Sequence, residues 1–157
     1  MIKITLIQMG KTHFKFVEEG FAEFNKRLMH YCKFECKTFE LPTKLKSKDA
    51  EATKKVEAEI ILKQLKPTDF IILLDENGKT YNSIQFAKQL EKLSTQYSHV
   101  IFIIGGAFGF DESVYKRANH QLSISAFTFS HQLIRLIFIE QLYRAFTIIK
   151  GEPYHHQ

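Results

Sequence analysis

Two uninterrupted apolar runs restrict the fold of this chain more than any other feature. They lie in the predicted strands 69–74 and 99–104, and neither run alternates apolar with polar side chains after its first residue. A strand that is apolar on both sides needs a cover on both faces, and parallel sheets flanked by helices provide it. The sequence therefore predicts an α/β layer fold in which both faces of these strands are covered.

The rest of the chain supplies three further strands and five helices by periodicity. The predicted strands are 2–8, 33–41, 69–74, 99–104 and 120–124, and the predicted helices are 13–31, 49–65, 83–95, a short helix after 111, and 131–149. The inward residues of helix 13–31 are predicted to be Phe14, Val17, Phe21, Phe24 and Leu28. Those of helix 49–65 are predicted to be Val56, Ile60 and Ile61.

Local signals mark several helix and strand ends. Asn77-Gly78 predicts a turn after strand 69–74. Asn82 followed three residues later by Gln85 predicts a capping box for helix 83–95, and Asp111 opens the short helix.

Length and cysteine content limit the class of protein. With 157 residues and 45% hydrophobic content, the chain is expected to form one domain over residues 1–157. Cys32 and Cys36 are too few for a disulfide framework and fit no zinc pattern, so a reducing cytoplasm is expected. Arg135, Glu140 and Arg144 interrupt the most apolar stretch, so a membrane span is not expected. The N-terminus lacks the apolar core of a signal peptide.

The net charge of +5 is concentrated in the first part of the chain. Residues 1–66 carry 14 basic and 9 acidic residues, whereas residues 67–157 carry 8 of each. Much of the excess comes from Lys33, Lys37, Lys44, Lys46, Lys48, Lys54 and Lys55. Such a cluster suits contacts with nucleic-acid phosphates. It equally suits a solvated surface that aids solubility, and both interpretations stay open.

The segment 100–109 runs from an apolar strand into a glycine-rich bend at Gly105, Gly106 and Gly109. Ligands of α/β sheets bind beyond the carboxyl ends of the strands, and glycine lets the main chain approach them closely. A triphosphate loop is excluded, because Leu73 and Thr5 stand where its first glycine is required. The late glycines with spacing G-G-x-x-G also make a dinucleotide enzyme a minor alternative.

The final predicted helix is apolar almost all round. Its inward candidates are Leu133, Ile134, Ile137, Phe138, Leu142, Phe146 and Ile149, while Leu136, Ile139 and Tyr143 make the other side apolar too. A helix of this kind is buried on both sides. We therefore expect a two-fold homodimer, and the alternative is a central helix in a monomer.

The last third of the chain carries a resemblance to a known family. Residues 122–132, Leu-Ser-Ile-Ser-Ala-Phe-Thr-Phe-Ser-His-Gln, lead into the apolar helix, and the chain closes on Pro153-Tyr154-His155-His156. Together with residues 4–11 and 74–79, these segments resemble the SPOUT RNA methyltransferases over nearly the whole chain. The resemblance implies a five- or six-stranded, mostly parallel sheet with helices on both faces and a C-terminal trefoil knot.

The resemblance also implies a function. It predicts an S-adenosylmethionine-dependent enzyme that methylates N3 of a pseudouridine in the 23S rRNA of assembled ribosomes, works as a homodimer and requires no metal. A non-catalytic ribosome-binding factor of the same fold is the alternative. The residues that the resemblance places around the cofactor are Leu74, Gly105, Ile124, Ser125, Ala126, Phe127, Thr128 and Phe129.

Four residues are predicted to carry the chemistry. His131 and Arg135 are four apart, so they share one helical face beside the cofactor segment. His131 or His155 is expected to receive the proton of the acceptor nitrogen, while Arg135 and Tyr154 orient the base. At the next position this chain has His156 where the family usually has Arg or Lys, so a permanent cation is missing there at neutral pH.

Overall fold

The computed structural model describes residues 1–46 and 49–156. Five parallel strands form one sheet in the order β2-β1-β4-β3-β5. The strands are β1 (Lys3–Met9), β2 (Lys33–Phe39), β3 (Phe70–Thr80), β4 (His99–Ile104) and β5 (His120–Ser123). The predicted α/β sheet is therefore confirmed, with five strands that are all parallel.

In the described part of the chain, five α-helices alternate with the strands. They are α1 (Lys15–Leu28), α2 (Ala50–Lys63), α3 (Ser83–Gln96), α4 (Glu112–Arg117) and α5 (Leu133–Ile149), with a short 3₁₀ turn at Thr43–Leu45. The capping box of Asn82 and Gln85 and the cap at Asp111 are both formed as predicted. Within the described ranges, no helix combines the length and apolar character needed to cross a membrane.

The two faces of the sheet are covered by different helices. On one face, Val100 and Phe102 of β4 pack with the inner residues of α1, α3 and α5. On the other face, Ile101 and Ile103 pack with residues of α2 and α4. Successive side chains of a strand point to opposite faces, so an uninterrupted apolar strand fills both cores. The prediction from the apolar runs is thus confirmed.

Two local predictions are wrong. Asn77-Gly78 does not end the strand, because β3 continues to Thr80 through a register irregularity between Leu74 and Lys79. Phe14 precedes α1 and is 48% exposed instead of facing inward.

The inner face of α2 was predicted in part, since Ile61 is buried and Ile60 packs against the core, whereas Val56 belongs to neither core cluster. Val56 and Ile60 are only half-buried, whereas Thr53, Glu57 and Ile61 are buried. These three residues are spaced by four and form one helical face. Glu57 places a carboxylate on that face, although acidic side chains are rarely buried.

Candidate active site

A cavity of about 530 Å³ opens at the carboxyl ends of β3, β4 and β5. Its walls are residues 74–77 in the irregular part of β3, the loops that follow β4 and β5, Tyr115 of α4, and the residues just before and within the first turn of α5. Neighbouring parallel strands end at the same edge, so their following loops converge there. The volume lies in the range of sites that hold a cofactor-sized molecule.

The predicted cofactor residues converge on this cavity. Seven of the eight line it, namely Leu74, Gly105, Ile124, Ser125, Phe127, Thr128 and Phe129. Ala126 is exposed and is not part of the lining. Phe127 is 80% exposed, which makes it the most open aromatic side chain at the cavity edge.

Two serines give the segment after β5 its shape. The buried Ser123 hydroxyl donates to the Ser125 carbonyl at 2.9 Å, and the Ser125 hydroxyl accepts the Phe127 N–H at 3.0 Å. Thr128 links this segment to β3, because its hydroxyl donates to the Glu76 carboxylate at 2.8 Å. Local side-chain bonds of this kind hold a loop in a defined conformation without a regular element.

The glycine bend after β4 leaves little space for a side chain at Gly105 and none at Gly106. A Cβ on Gly105 would lie 3.1 Å from the Phe110 ring, and a Cβ on Gly106 would lie 2.5 Å from the Glu57 carboxylate. Gly109 instead has a φ of 82° and closes the bend by donating its N–H to the Gly106 carbonyl. At this bend the main chain of Gly105 and Gly106 lies in the cavity wall, where it can approach a flat ligand closely.

Two cavity residues were missed by sequence reasoning. Tyr115 of α4 donates its hydroxyl to the Asp75 carboxylate in the irregular part of β3, and both residues line the cavity. Burial and this carboxylate raise the pKa of Tyr115, so its hydroxyl stays protonated as a donor. Asp75 directly follows an apolar strand, and this position was a usable signal. Tyr115 carries no such signal in the sequence, because only the tertiary structure brings α4 to the cavity.

His131 lines the cavity directly before α5. Burial lowers its pKa below the ordinary 6.5, and the positive Arg135 and His13 nearby add to this effect. The imidazole is therefore neutral at pH 7 and able to accept a proton. Ser130 orders the same corner, since its hydroxyl accepts the Leu133 N–H at 3.0 Å.

Arg135 is completely buried and is not part of the cavity lining. Its guanidinium donates to the Met9 carbonyl and the Thr12 hydroxyl, both at 2.8 Å, and to the His131 carbonyl at 3.1 Å. Gln132 reinforces the same junction through bonds to the backbone of residues 11 and 13. Arg135 therefore joins the start of α5 to the loop after β1 and fixes the carbonyl of His131.

Tyr154 and His155 lie near the opposite end of α5. The Tyr154 hydroxyl donates to Glu140 at 3.1 Å, and its ring packs under the Arg144 guanidinium at 4.7 Å. Arg144 also bonds Nδ1 of His155 at 3.1 Å. About 20 Å of helix separate Arg144 from His131, because an α-helix rises about 1.5 Å per residue. Within one chain, the four predicted catalytic residues thus fall into two separate groups.

Comparison with known proteins identifies the family. A family model described as "Predicted SPOUT methyltransferase" matches residues 2–155. The chain belongs to the SPOUT methyltransferase family. It is 46% identical over 157 residues to the ribosomal RNA large subunit methyltransferase H of Parabacteroides distasonis, covering 99% of this chain and 100% of that protein. The protein of that name from Christiangramia forsetii is 47% identical over 155 residues, covering 98% of this chain and 99% of that protein.

As a SPOUT methyltransferase, the chain uses S-adenosylmethionine, and the cavity fits this molecule. An adenosine moiety needs a flat apolar slot and main-chain groups that read its polar edge. Leu74, Ile124 and Phe129 supply apolar walls, and the glycine bend supplies accessible main chain. The residues that would hold the cofactor are therefore present together at one edge of the sheet.

Proposed function

We propose that this chain methylates N3 of a pseudouridine in the 23S rRNA of assembled ribosomes. The observation that carries the proposal is the cavity of about 530 Å³, formed by the segments that the SPOUT resemblance assigns to the cofactor. It is supported by full-length similarity to proteins named ribosomal RNA large subunit methyltransferase H. Recognition rests on ribosomal shape and on backbone contacts.

The chain's own residues have two tasks in this reaction. S-adenosylmethionine supplies an activated methyl group on a sulfonium. Residues 74–77 of β3 and the loops after β4 and β5 would hold it beside the acceptor nitrogen, and this orientation would lower the barrier. As the N–C bond forms and the S–C bond breaks, the proton on N3 has to leave.

His131 is the residue that we propose for that proton. It lines the cavity, and its lowered pKa keeps Nδ1 or Nε2 free at neutral pH. A neutral imidazole in hydrogen-bond reach of the acceptor acts as a general base. The bond from Arg135 to the His131 carbonyl holds the backbone of this base in place.

We propose further that the enzyme is a two-fold homodimer whose C-terminal tail completes the partner's site. Tyr154 bonds Glu140 and His155 bonds Arg144, so about 13 Å and about 20 Å of helix lie between these contacts and His131 in the same chain. Residues Leu133, Ile137 and Ile148 of α5 stay partly exposed in one chain, and a second copy would cover them. In this arrangement Tyr154 orients the base, and His155 is a second candidate for the proton.

A trefoil knot is part of the proposal. β5 lies at the sheet edge beside β3, yet the start of α5 bonds the loop after β1, on the far side of β3 and β4. In the proposed knot, the segment between β5 and α5 passes between the segments that follow the apolar runs of β3 and β4. Pulling the unfolded chain from both ends should give a contour shorter than 157 free residues; a full-length contour would exclude the knot.

The modified nucleotide is the first test. Mass mapping of 23S rRNA should show one methylated pseudouridine that is absent from cells without the gene. Purified protein with S-adenosylmethionine should restore it on intact ribosomes and fail on free 23S rRNA. An unchanged methylation map would reject the proposed substrate, and ribosome binding without cofactor uptake would favour the non-catalytic factor.

Mixed dimers test the origin of the tail. A dimer of one H131A subunit with one subunit truncated after Pro153 contains one intact site only if the tail acts on its partner. We expect about half of the wild-type turnover from purified mixed dimers, whereas each homodimer is inactive. Inactive mixed dimers would show that the tail serves its own chain.

A further inference from the structure

Glu57 is a buried carboxylate that touches the glycine bend from behind. It lies on the inner face of α2 with 9% exposure and does not line the cavity. The Gly106 N–H faces this carboxylate, and a Cβ on Gly106 would lie 2.5 Å from it, whereas Gly106 itself lies in the cavity wall. The glycine bend therefore has the cofactor cavity on one side and this carboxylate on the other.

This contact fixes the direction of one peptide group. The peptide between Gly105 and Gly106 is trans, and in a trans peptide the N–H and the C=O point in opposite directions. An N–H held by Glu57 behind the wall therefore turns the Gly105 carbonyl toward the cavity. A carbonyl in that position can accept a hydrogen bond from a hydroxyl or amine of a bound nucleoside.

We propose that Glu57 is a positioning residue that sets the affinity for the cofactor by aiming the Gly105 carbonyl into the cavity. The inference rests on the proposed function, because it concerns the same cofactor site. Glu57 does not touch the cofactor; it acts through one main-chain group. No residue of α2 belongs to the cavity lining in the described part of the chain.

The surroundings of Glu57 favour this role over simple packing. Burial raises the pKa of this carboxyl, so its position costs stability that an apolar side chain would not cost. The backbone of Gly106 does not have a positive φ, so conformation does not require glycine there. A Cβ would instead collide with the carboxylate at 2.5 Å, and glycine leaves room for this contact.

The test uses the full-length protein with S-adenosylhomocysteine as the probe in titration calorimetry. E57A removes the acceptor and should weaken binding about tenfold, the loss typical of one well-placed hydrogen bond. E57Q keeps an acceptor oxygen and should bind within about threefold of wild type. E59A is the matched control, because Glu59 is an exposed acid on the same helix, and its affinity should not change.

Amide exchange of the protein without cofactor gives a second readout. The Gly106 N–H should be protected in wild type and E57Q and should exchange freely in E57A, while the central amides of β4 stay protected in all three. G106A should also weaken binding, and the G106A/E57A double variant should lose less than the sum of the two, because the collision is gone.

The outcomes separate the two proposals. If wild type takes up no S-adenosylhomocysteine, the proposed function fails. If wild type binds the probe and E57A binds it equally well, the role of Glu57 is overturned while the enzyme remains. Equal loss in E57Q and E57A, with global loss of amide protection, would also overturn it and reduce Glu57 to a packing residue.

Discussion

His131 and Arg135 show how differently two residues on one helical face can be used. Both were predicted at the site from their spacing of four. His131 reaches the cavity, whereas Arg135 turns inward and donates to carbonyl oxygens of the loop after β1 and of His131. A guanidinium has five donors and suits a junction between several backbone groups. The role of Arg135 in orienting the base stays a prediction.

The pKa of His131 leads to a prediction for the pH profile. A base works only when unprotonated, and burial lowers the folded-state pKa below 6.5. Turnover should therefore stay constant from pH 8 to 6.5 and fall only at more acidic pH. H131Q should lose at least about 100-fold in kcat, the usual contribution of a general base.

H13Q is the control for this profile, because His13 lies nearby and contributes only to the charge around His131. H13Q should keep kcat. The acidic side of its pH profile should move to slightly higher pH, because the variant lacks a positive charge that disfavours protonation of His131. An H131Q variant with wild-type kcat would assign the proton to His155 or to water.

At the scale of elements, β3 is the strand that differs most from its predicted form. Asn77-Gly78 is a common turn signal, yet the strand continues past it and pairs again with β5. Gly78 makes this possible, because its Cα lies directly against the backbone of Gln121 and Leu122. Asn77-Gly78 predicts a turn from the local sequence alone, whereas the close approach of β5 keeps this segment in the strand.

G78A should therefore destabilise the protein. A Cβ on Gly78 would lie 2.7 Å from the backbone carbon of Gln121, and a backbone atom in a sheet cannot move aside easily. We expect a loss of about 1–3 kcal/mol in the free energy of unfolding, as for other overpacked sites. Denaturant unfolding measures it, with N77A in the same segment as the exposed control. Equal stability of the two variants would contradict this close packing.

The C-terminal tail depends on α5 for its position. Glu140 accepts bonds from both Tyr154 and Arg144, and Arg144 also bonds His155. Glu152 adds an anchor by accepting the Tyr31 hydroxyl at 2.6 Å. These contacts are partly exposed and individually weak, so the tail is ordered by their combination.

E140A should release the tail with little effect on the fold. Hydrogen exchange of residues 152–156 should become faster, while the free energy of unfolding falls by less than about 1 kcal/mol. K150A, an exposed residue beyond the helix, is the control and should change neither quantity. A tail that stays protected in E140A would show that the aromatic contact with Tyr143 is sufficient.

At the scale of the whole molecule, the fold places the excess lysines at different ends of the sheet. Lys44 and Lys46 follow the carboxyl end of β2, at the same edge as the cavity, whereas Lys33 begins that strand at the other end. Lys37 and Lys54 lie next to carboxylates. Lys48 lies outside the described residues. The predicted cluster is thus spread over two ends of the sheet.

Ribosome binding should depend on the lysines at the cavity edge. K44A/K46A should reduce the slope of log K against log salt by about 1.5, because each phosphate contact contributes about 0.7 to 0.9. K33A is the matched control and should leave the slope unchanged. Equal slopes for all three proteins would show that the lysine excess is only a solvated surface.

The sequence alone determined the elements and their order. The uninterrupted apolar strand 99–104, the capping box at Asn82 and the helix opened by Asp111 all follow from local patterns, which act over a few residues. The resemblance of the last third to SPOUT enzymes also placed seven of eight cofactor residues at one cavity.

The tertiary structure decided which distant residues meet. Tyr115 reaches Asp75, Glu57 supports Gly106, and Arg135 bonds Met9 from 126 positions away. Tyr154 and His155 are the other two of the four predicted catalytic residues, and the fold holds them away from the cavity of their own chain. Such contacts depend on how helices pack across a sheet and on the direction of each side chain, and neither is encoded in a short stretch of sequence.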